Sequence, residues 1–473
     1  MQKKKIGIIT FAITLISLGI LLLMKNFTDI NLKIIFAIAW PSIIILFGIE
    51  IIITKFVLSR RSEDVRTYVD PLSVIMLCII IIIMSIYSSF NFDFLSNLQS
   101  FDLGDFSRIV SSYKDESTYN YTFTINTEGK DELQVLNSFG NVEIIEGSGD
   151  NIEIAAKIKI RYNDKTYADE LSKNIVKIDE SGSSLKVLSD LDNSKYDRDK
   201  AGEISVSYDI HMPAHIKANI ENKFGNTTVK DIKKDVKINN QHGNIEVADI
   251  IGAVKLDNSF GSTIVDNISE DAEIDSKHGD VVIDNVSKDL TVNNSFGSIK
   301  ATNIKGSADI SNQHNSVYVE NVEKDVKIKN QFGWVDAKNI GGNLNIESEH
   351  DNVNVENIKG ELYTYNKFGN ISVNSVSKYI KIISNNGNIS FKTNELIEKG
   401  IEIENEFGNI DITVPSDQKG SFNVVAEFGE IKNRLGLNVT EGITDQSIND
   451  FIDNSNIKFY IRSRNGNIDL NTN

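Results

Sequence analysis

From Phe224 onward one turn-forming residue recurs every 18 positions. Gly225, Gly243, Gly261, Gly279, Gly297, Gly333, Gly369 and Gly387 hold eight of ten successive slots, and Asn315 and Asp351 fill the other two. All three residue types tolerate positive φ, so the same tight turn is expected in every unit. A strict period near this length is the mark of a solenoid. Within Gly243–Phe260, Ile245 and Val247 alternate with polar neighbours, and so do Val254 and Leu256. Val281, Ile283, Leu290 and Val292 occupy the same slots two units on. Period-2 alternation buries one face of a strand and wets the other. A lone hairpin of this length buries too little apolar surface to fold, but units stacked about 4.8 Å apart bury a continuous core. The repeat therefore predicts a parallel β-helix, or β-solenoid, with 18-residue repeats. Ten turn positions at that spacing give a rod of about 45–50 Å.

Stacking turns identical positions into columns. Asp231, Asp249, Asn267, Asn285, Asn303, Asn321, Asn339, Asn357 and Ser375 form one corner, each followed by Ile or Val. Asn222, Asn240, Asn258, Ser276, Asn294, Asn312, Asn330, Ser348 and Asn366 form another. Both columns read as amide ladders along the axis, with ligand binding as the alternative role. The residue before each turn alternates: Phe224, His242, Phe260, His278, Phe296, His314, Phe332, His350 and Phe368. This alternation leaves open a 36-residue turn in place of an 18-residue one. With the shorter turn, consecutive histidines stand about 9.6 Å apart, whereas zinc bonds of about 2.0–2.1 Å hold two ligand atoms within roughly 4 Å. A Phe/His ring stack is expected there, not a metal site, with protonation near pH 6.5 a secondary role.

The chain has 473 residues and a net charge of −17, but charge and apolar residues are unevenly spread. Residues 1–92 carry nine basic and five acidic side chains, a net +4; the remaining 381 carry 40 and 61, a net −21. The acidic balance argues against a nucleic-acid partner. The single cysteine, Cys78, excludes an intrachain disulfide and a thiol-based zinc site.

Three apolar runs, about 6–24, 34–54 and 71–92, are each near the roughly 20 residues a helix needs to span a bilayer. A cleaved signal peptide is the rival reading of the first run, but no small-residue cleavage site follows it. Lys3, Lys4 and Lys5 precede the first run, and Lys55, Arg60, Arg61 and Arg66 lie between the second and third. The positive-inside rule then predicts a multi-pass cell-membrane protein, with its N-terminus cytoplasmic and its C-terminal domain extracellular. Trp40-Pro41 interrupts the second run, where proline kinks a helix. Glu50 lies about a turn from the cytoplasmic boundary, a functional candidate by location or a side chain that snorkels to the interface.

The domain plan is thus a three-helix transmembrane region (1–92), a linker (93–120) and a solenoid (121–473) with regular rungs over 224–391. Open solenoid ends pair with other chains unless capped. Caps are expected at 101–223 and 408–473. A charged insertion, Arg161–Lys200, includes a short helix at Ala168–Ile175, and a long loop is expected at Leu437–Asn456. No nucleophile elbow, HExxH, P-loop or dinucleotide fingerprint occurs, and no calcium-binding nonapeptide. No catalytic residue, metal or cofactor is expected. Chance pairs of acids on an acidic solenoid resemble a glycosidase dyad, above all near Arg161–Lys200 or Arg434–Asn456.

Two resemblances follow from particular residues. Ser205–Pro213 (SVSYDIHMP), the following FGNTTV, the serial GNI turns and the IDITVP ending at Pro415 resemble the bacterial putative-adhesin, or toast-rack, family of β-strand repeats over roughly 120–470. The Phe/His column departs from the commoner Ser or Asn before that glycine. Residues 5–55, with IGII, LGILLLMKNF and AWPSIIILFGIE, resemble the membrane region of Lia-type envelope-stress proteins. Together they imply a Gram-positive envelope protein, non-enzymatic, that senses envelope stress or binds wall components. The implied partners are the lipid bilayer, a membrane sensor kinase or a cell-wall polymer. A β-helix-type surface carbohydrate-active enzyme and a self-associating scaffold or adhesin are the alternatives.

Overall fold

The computed structural model describes residues 113–189, 191, 196–453 and 455–473, together with 3–6, 10–12, 14–15, 17–18, 39–44, 46–47, 49–50 and 66–69. The chain divides into two compact units, Met1–Ser112 and Tyr113–Asn473.

In the second unit every regular turn contributes one strand to each of two facing parallel sheets, of 18 and 17 strands. Register settles the repeat length. Ala218 pairs with Val236, Val236 with Val254 and Val254 with Ala272, each 18 positions on. The 18-residue turn is therefore the correct one, and the 36-residue alternative is excluded. Eleven turns follow one another from Lys217 to Val414, longer at both ends than the 224–391 read from the sequence. The last step is longer by three, Asn386 pairing with Phe407.

Within a turn, Val236, Ile238 and Asn240 face inward from one strand, and Ile245, Val247 and Ile250 from the other. The alternation carries only Ile245 and Val247; Asp249, at φ +57°, shifts the phase by one so that Ile250 also enters the core. The same left-handed conformation, φ 54–60°, recurs at Asp231, Asn267, Asn285, Asn303, Asn321, Asn339, Asn357 and Ser375. Asn and Asp are the non-glycine residues that adopt it most readily.

The glycine corner is more restrictive. Gly243 has φ +142°, and a Cβ there would lie 2.1 Å from the carbonyl oxygen of Gly225 in the rung beneath. The same contact links Gly261 to Gly243 and Gly279 to Gly261. Asn315 (φ 90°) and Asp351 (φ 84°) stand in two of these slots, where each side-chain oxygen accepts the next N–H, Ser316 or Asn352.

Both ends depart from sequential stacking. The chain's last strands, Lys458–Asn465 and Ile468–Thr472, insert between the turn at Gly400–Val414 and the turn at Gly420–Asn433. At the other end, Glu132–Phe139 lies between Lys217–Phe224 and Ser184–Ser189, and Val142–Glu146 between Thr227–Lys230 and Ala201–Met212. Each terminal turn is thus held between two others. Antiparallel strands close the stack: Asp115–Asn126, Asn151–Tyr162 and Ala201–Met212 at the start, Gln446–Ile452 and Thr440–Glu441 at the finish. Residues 115–120, assigned to the linker from composition, are the first half of a strand. The insertion helix spans Lys165–Ile175, beginning three residues before Ala168 because the Asp164 carboxylate accepts the Tyr167 N–H at 3.1 Å and caps it. Ala168, Ser172 and Ile175 are its buried face.

In the first unit, Lys3–Ile6 pairs in parallel with Arg66–Val69. Trp40 and Pro41 are helical and half-buried. Glu50 is 8% exposed and accepts the backbone N–H of Thr10 at 2.9 Å and its hydroxyl. Most of the three apolar runs lie outside the described residues; among those described, no helix is long and apolar enough to cross a membrane.

Replacing Gly243 by alanine forces the rungs apart at a positive-φ position. We expect a loss of about 2–4 kcal/mol in urea unfolding. Asp249→Asn, which keeps the conformation its column already uses, should stay within about 0.5 kcal/mol.

Candidate functional site

The two corners of the solenoid present different chemistry. At the glycine corner, each ring lies at the end of its strand with its face toward the next rung. Phe139, Phe224, His242, Phe260, His278, Phe296, His314, Phe332, His350 and Phe368 form one continuous stack, with centroids 4.6–5.1 Å apart and planes within 16°. The column begins one member earlier than the repeat suggests, because Phe139 sits directly under Phe224. Every imidazole is sandwiched between two phenyl rings, so no two share an ion. The stack also consumes the ring faces: about 45% of Phe296 is exposed, but as an edge. A flat ligand such as a sugar ring finds no open aromatic platform there.

Immediately after each turn a second column braces the corner. The Asn226 side-chain oxygen accepts the N–H of Asn244, Asn244 that of Ser262, and Asn370 that of Asn388, each at 2.9 Å. Asp280 accepts both the N–H and the hydroxyl of Ser298, which hold its carboxyl below the usual range. On the opposite side Asp235, Asp271, Asp289 and Asp325 accept the N–H of the residue 18 positions on. Neither column was singled out in the sequence, although the 18-residue spacing of the acceptors was there to find.

The two asparagine columns behave differently. In the interior one the amides mainly serve the turn: Asn240, Asn258 and Asn312 donate to the carbonyl three residues ahead, at Gly243, Gly261 and Asn315, at 2.9–3.0 Å, and Asn240 also reaches the Asn258 side-chain oxygen at 3.4 Å. Asn294 and Asn312 also reach the turn carbonyl one rung back. A buried amide finds its best acceptors in the turn itself, so the column pins the glycine corner from inside. The outer column is a true ladder over Asn303, Asn321, Asn339 and Asn357, each Nδ2 bonded to the preceding Oδ1 at 3.0 Å. Asn267 bonds to Asp249, while Asn285 and Asn303 turn to Asp266 and Asp284.

Beside this outer ladder runs a groove of about 1180 Å³. One wall is the amide row from Asn267 to Asn357, ending at Ser375; the other is Ser287, Lys305, Glu323, Gly341 and Lys359. The buried Val286, Ile304, Val322, Ile340 and Ile358 form its floor. Lys378, Glu395 and Glu398 stand at one end, beside the three-residue insertion in the last regular turn. Its lining holds three lysines and three glutamates, so the groove is electrically balanced inside an acidic domain. The structure thus brings Asn267, Asn285, Asn303, Asn321, Asn339 and Asn357 onto one continuous surface.

The regions named for a carboxylate pair are occupied by ion pairs. Arg161 binds Glu203 at 2.8 Å and Glu116 at 3.6 Å, and the Tyr119 hydroxyl donates to Asp169 at 2.6 Å. Within Arg434–Asn456, Asp450 accepts the backbone N–H and the side-chain amide of Asn438 at 2.9 Å and Asp453 pairs with Lys419 at 2.6 Å; beyond it Arg462 and Arg464 converge on Glu427 and lower its pKa. Among the described residues no group of three or more His, Cys, Asp or Glu side chains is placed to hold a metal ion.

Residues 307–471 match the family model described as Toastrack DUF4097. The match supports the toast-rack resemblance over the C-terminal turns and their cap. The matched segment includes three of the four ladder asparagines, Asn321, Asn339 and Asn357, and the end of the groove. Among solved structures, a "putative cell adhesion protein" from Clostridium sporogenes shows 12% identity over 76% of this chain and 100% of its own, with a TM-score of 0.15. A "putative adhesin" from Bacteroides fragilis shows 12% identity over 76% and 98%, with a TM-score of 0.19. No curated protein matches the chain, and no comparison supports the Lia-type resemblance of residues 5–55.

Each ring inside the stack contacts two others, and an aromatic pair is worth about 0.5–1.5 kcal/mol. Phe296→Ala should therefore cost about 1–3 kcal/mol in thermal or urea unfolding. His278→Phe, which preserves the stack, should cost far less.

Proposed function

We propose that this is a non-enzymatic, membrane-anchored surface scaffold whose asparagine-lined groove binds an extended, uncharged wall glycan. The groove carries this reading. Its amide row repeats at the rung spacing of about 4.8 Å over five steps, or roughly 24 Å. Each ladder amide uses one N–H and one acceptor site within the column and keeps the rest of its hydrogen-bonding capacity for a ligand. A β-linked N-acetylhexosamine chain offers amides and hydroxyls at close to that spacing. The balance of three lysines and three glutamates suits a neutral polymer better than an anionic one.

Two contacts support anchoring with the N-terminus and second loop on one side. Thr10 and Glu50 lie at matching depths, each four residues inside the same boundary of runs 6–24 and 34–54. Lys3–Ile6 pairs in parallel with Arg66–Val69, so the first and third runs would leave that side in the same direction. The solenoid would then stand outside a Gram-positive cell. In the fuller form of this reading, occupancy of the groove reaches a membrane sensor kinase through the helices, and deletion of the gene alters envelope-stress signalling.

Retention of the full chain, in detergent, on insoluble chitin and on purified wall glycan tests the binding. Glu323→Trp, on the exposed wall, fills the groove without touching the ladder and should lower retention about tenfold or more, the worth of one to two hydrogen bonds. Absence of retention on any neutral glycan, or retention indifferent to Glu323→Trp, would contradict the proposal.

A further inference from the structure

We infer that two copies of this chain pair edge to edge through strand Asp115–Asn126, antiparallel and about a two-fold axis. Three of the four edges of the two solenoid sheets are blunted by length: Val176–Asp179 has four residues, Ile431–Asn433 three and Thr440–Glu441 two. The fourth edge is the 12-residue strand Asp115–Asn126, which among the described residues pairs only with Asn151–Tyr162. Fully extended it offers about 40 Å of backbone.

Beyond Asp115 and Glu116 at its start, none of the usual protections is present on it. Proteins guard exposed edges with charges, proline, bulges or short strands. Here the stretch Ser117–Asn126 (STYNYTFTIN) has no charged residue and no proline, and its register with the neighbouring strand is unbroken over all 12 pairs. Threonine, tyrosine and phenylalanine make it a strong strand former.

The open hydrogen-bonding groups can be assigned. Thr127 N–H bonds to Asp150 C=O across the same ladder. Antiparallel alternation then turns the odd-numbered residues toward the neighbour and the even-numbered ones outward. The N–H and C=O groups of Thr118, Asn120, Thr122 and Thr124 therefore face the open side. An identical strand run antiparallel meets them with the same groups, which is the self-complementary contact a two-fold axis requires. Where residues 93–473 carry a net charge of −21, this neutral stretch lets two copies approach without placing like charges opposite each other. A second copy is for these reasons the occupant the edge fits, and the pairing is independent of the groove and its ligand.

Light scattering of the full chain in detergent across a concentration series tests the inference. The expected protein mass is twice 52.8 kDa, falling toward one copy on dilution. Thr122→Pro removes one outward N–H while sparing the internal ladder, and Thr122→Lys sets two like charges close to the axis. Both should be monomeric at concentrations where the parent is dimeric, with unchanged far-ultraviolet dichroism. A parent chain that is monomeric throughout would overturn the pairing, as when an earlier segment of the same chain covers the edge. So would a dimer that survives both substitutions. Glycan retention by the monomeric variants separates this result from the groove reading.

Discussion

The close contact between glycine corners governs this architecture. At Gly225, Gly243, Gly261 and Gly279 there is no space for a Cβ, because the carbonyl oxygen of a neighbouring rung lies 2.1 Å from its position. The strands on either side are then locked at sheet spacing, and every other column inherits that spacing. The buried Val and Ile rows, the ring stack, the interior amides and the outer ladder all repeat because the corner repeats. The same contact traces the order of the rungs at the C-terminal end, where Gly408 abuts Gly387, Gly466 abuts Gly408 and Gly429 abuts Gly466.

Stacking at this spacing constrains the surface chemistry as much as the core. Like charges placed directly above one another repel, as Lys237 over Lys255 and Asp257 over Asp275 do here, and other exposed columns neutralise the repetition. Lys255 pairs with Glu273, Lys288 with Glu270, Lys327 with Asp309 and Lys329 with Glu347, each partner 18 positions away. Exposed pairs of this kind contribute little individually. Where aspartates recur, the carboxylate accepts an N–H from the next rung, as Asp235 does from Ala253. Lys217 bonds to the same Asp235 and depresses its pKa. Alternation of Phe and His fits the same rule, since no imidazole meets another across one rung. The excess acid of the solenoid is thereby a property of its outer faces and does not mark a substrate site.

The repeating part of the fold was legible in the sequence because 18-residue self-similarity and period-2 burial are local signals. The alternation of residues before the turn suggested a 36-residue alternative, which only strand register removed. The ends were less legible for a specific reason: insertion of Lys458–Thr472 between two earlier turns breaks the rule that neighbours in space are neighbours in sequence. Its trace was the 37-residue gap between Gly429 and Gly466, which a loop explains equally well. The two asparagine columns looked alike as letters. They diverged because one faces turn carbonyls inside the core and the other faces water. The groove was not visible at all, since it arises from the side chains two positions beyond each ladder residue.

Removal of one complete rung tests the central claim, that an 18-residue turn is locked by its glycine corner. Deleting Gly261–His278 should leave a shorter solenoid with an intact β spectrum and a cooperative unfolding transition, with Phe260 stacking directly on Phe296. Deleting only the half-rung Gly261–Ser269 should destroy both. A folded half-rung deletion, or an 18-residue deletion that unfolds while a 36-residue deletion (Gly261–Phe296) remains folded, would contradict the account.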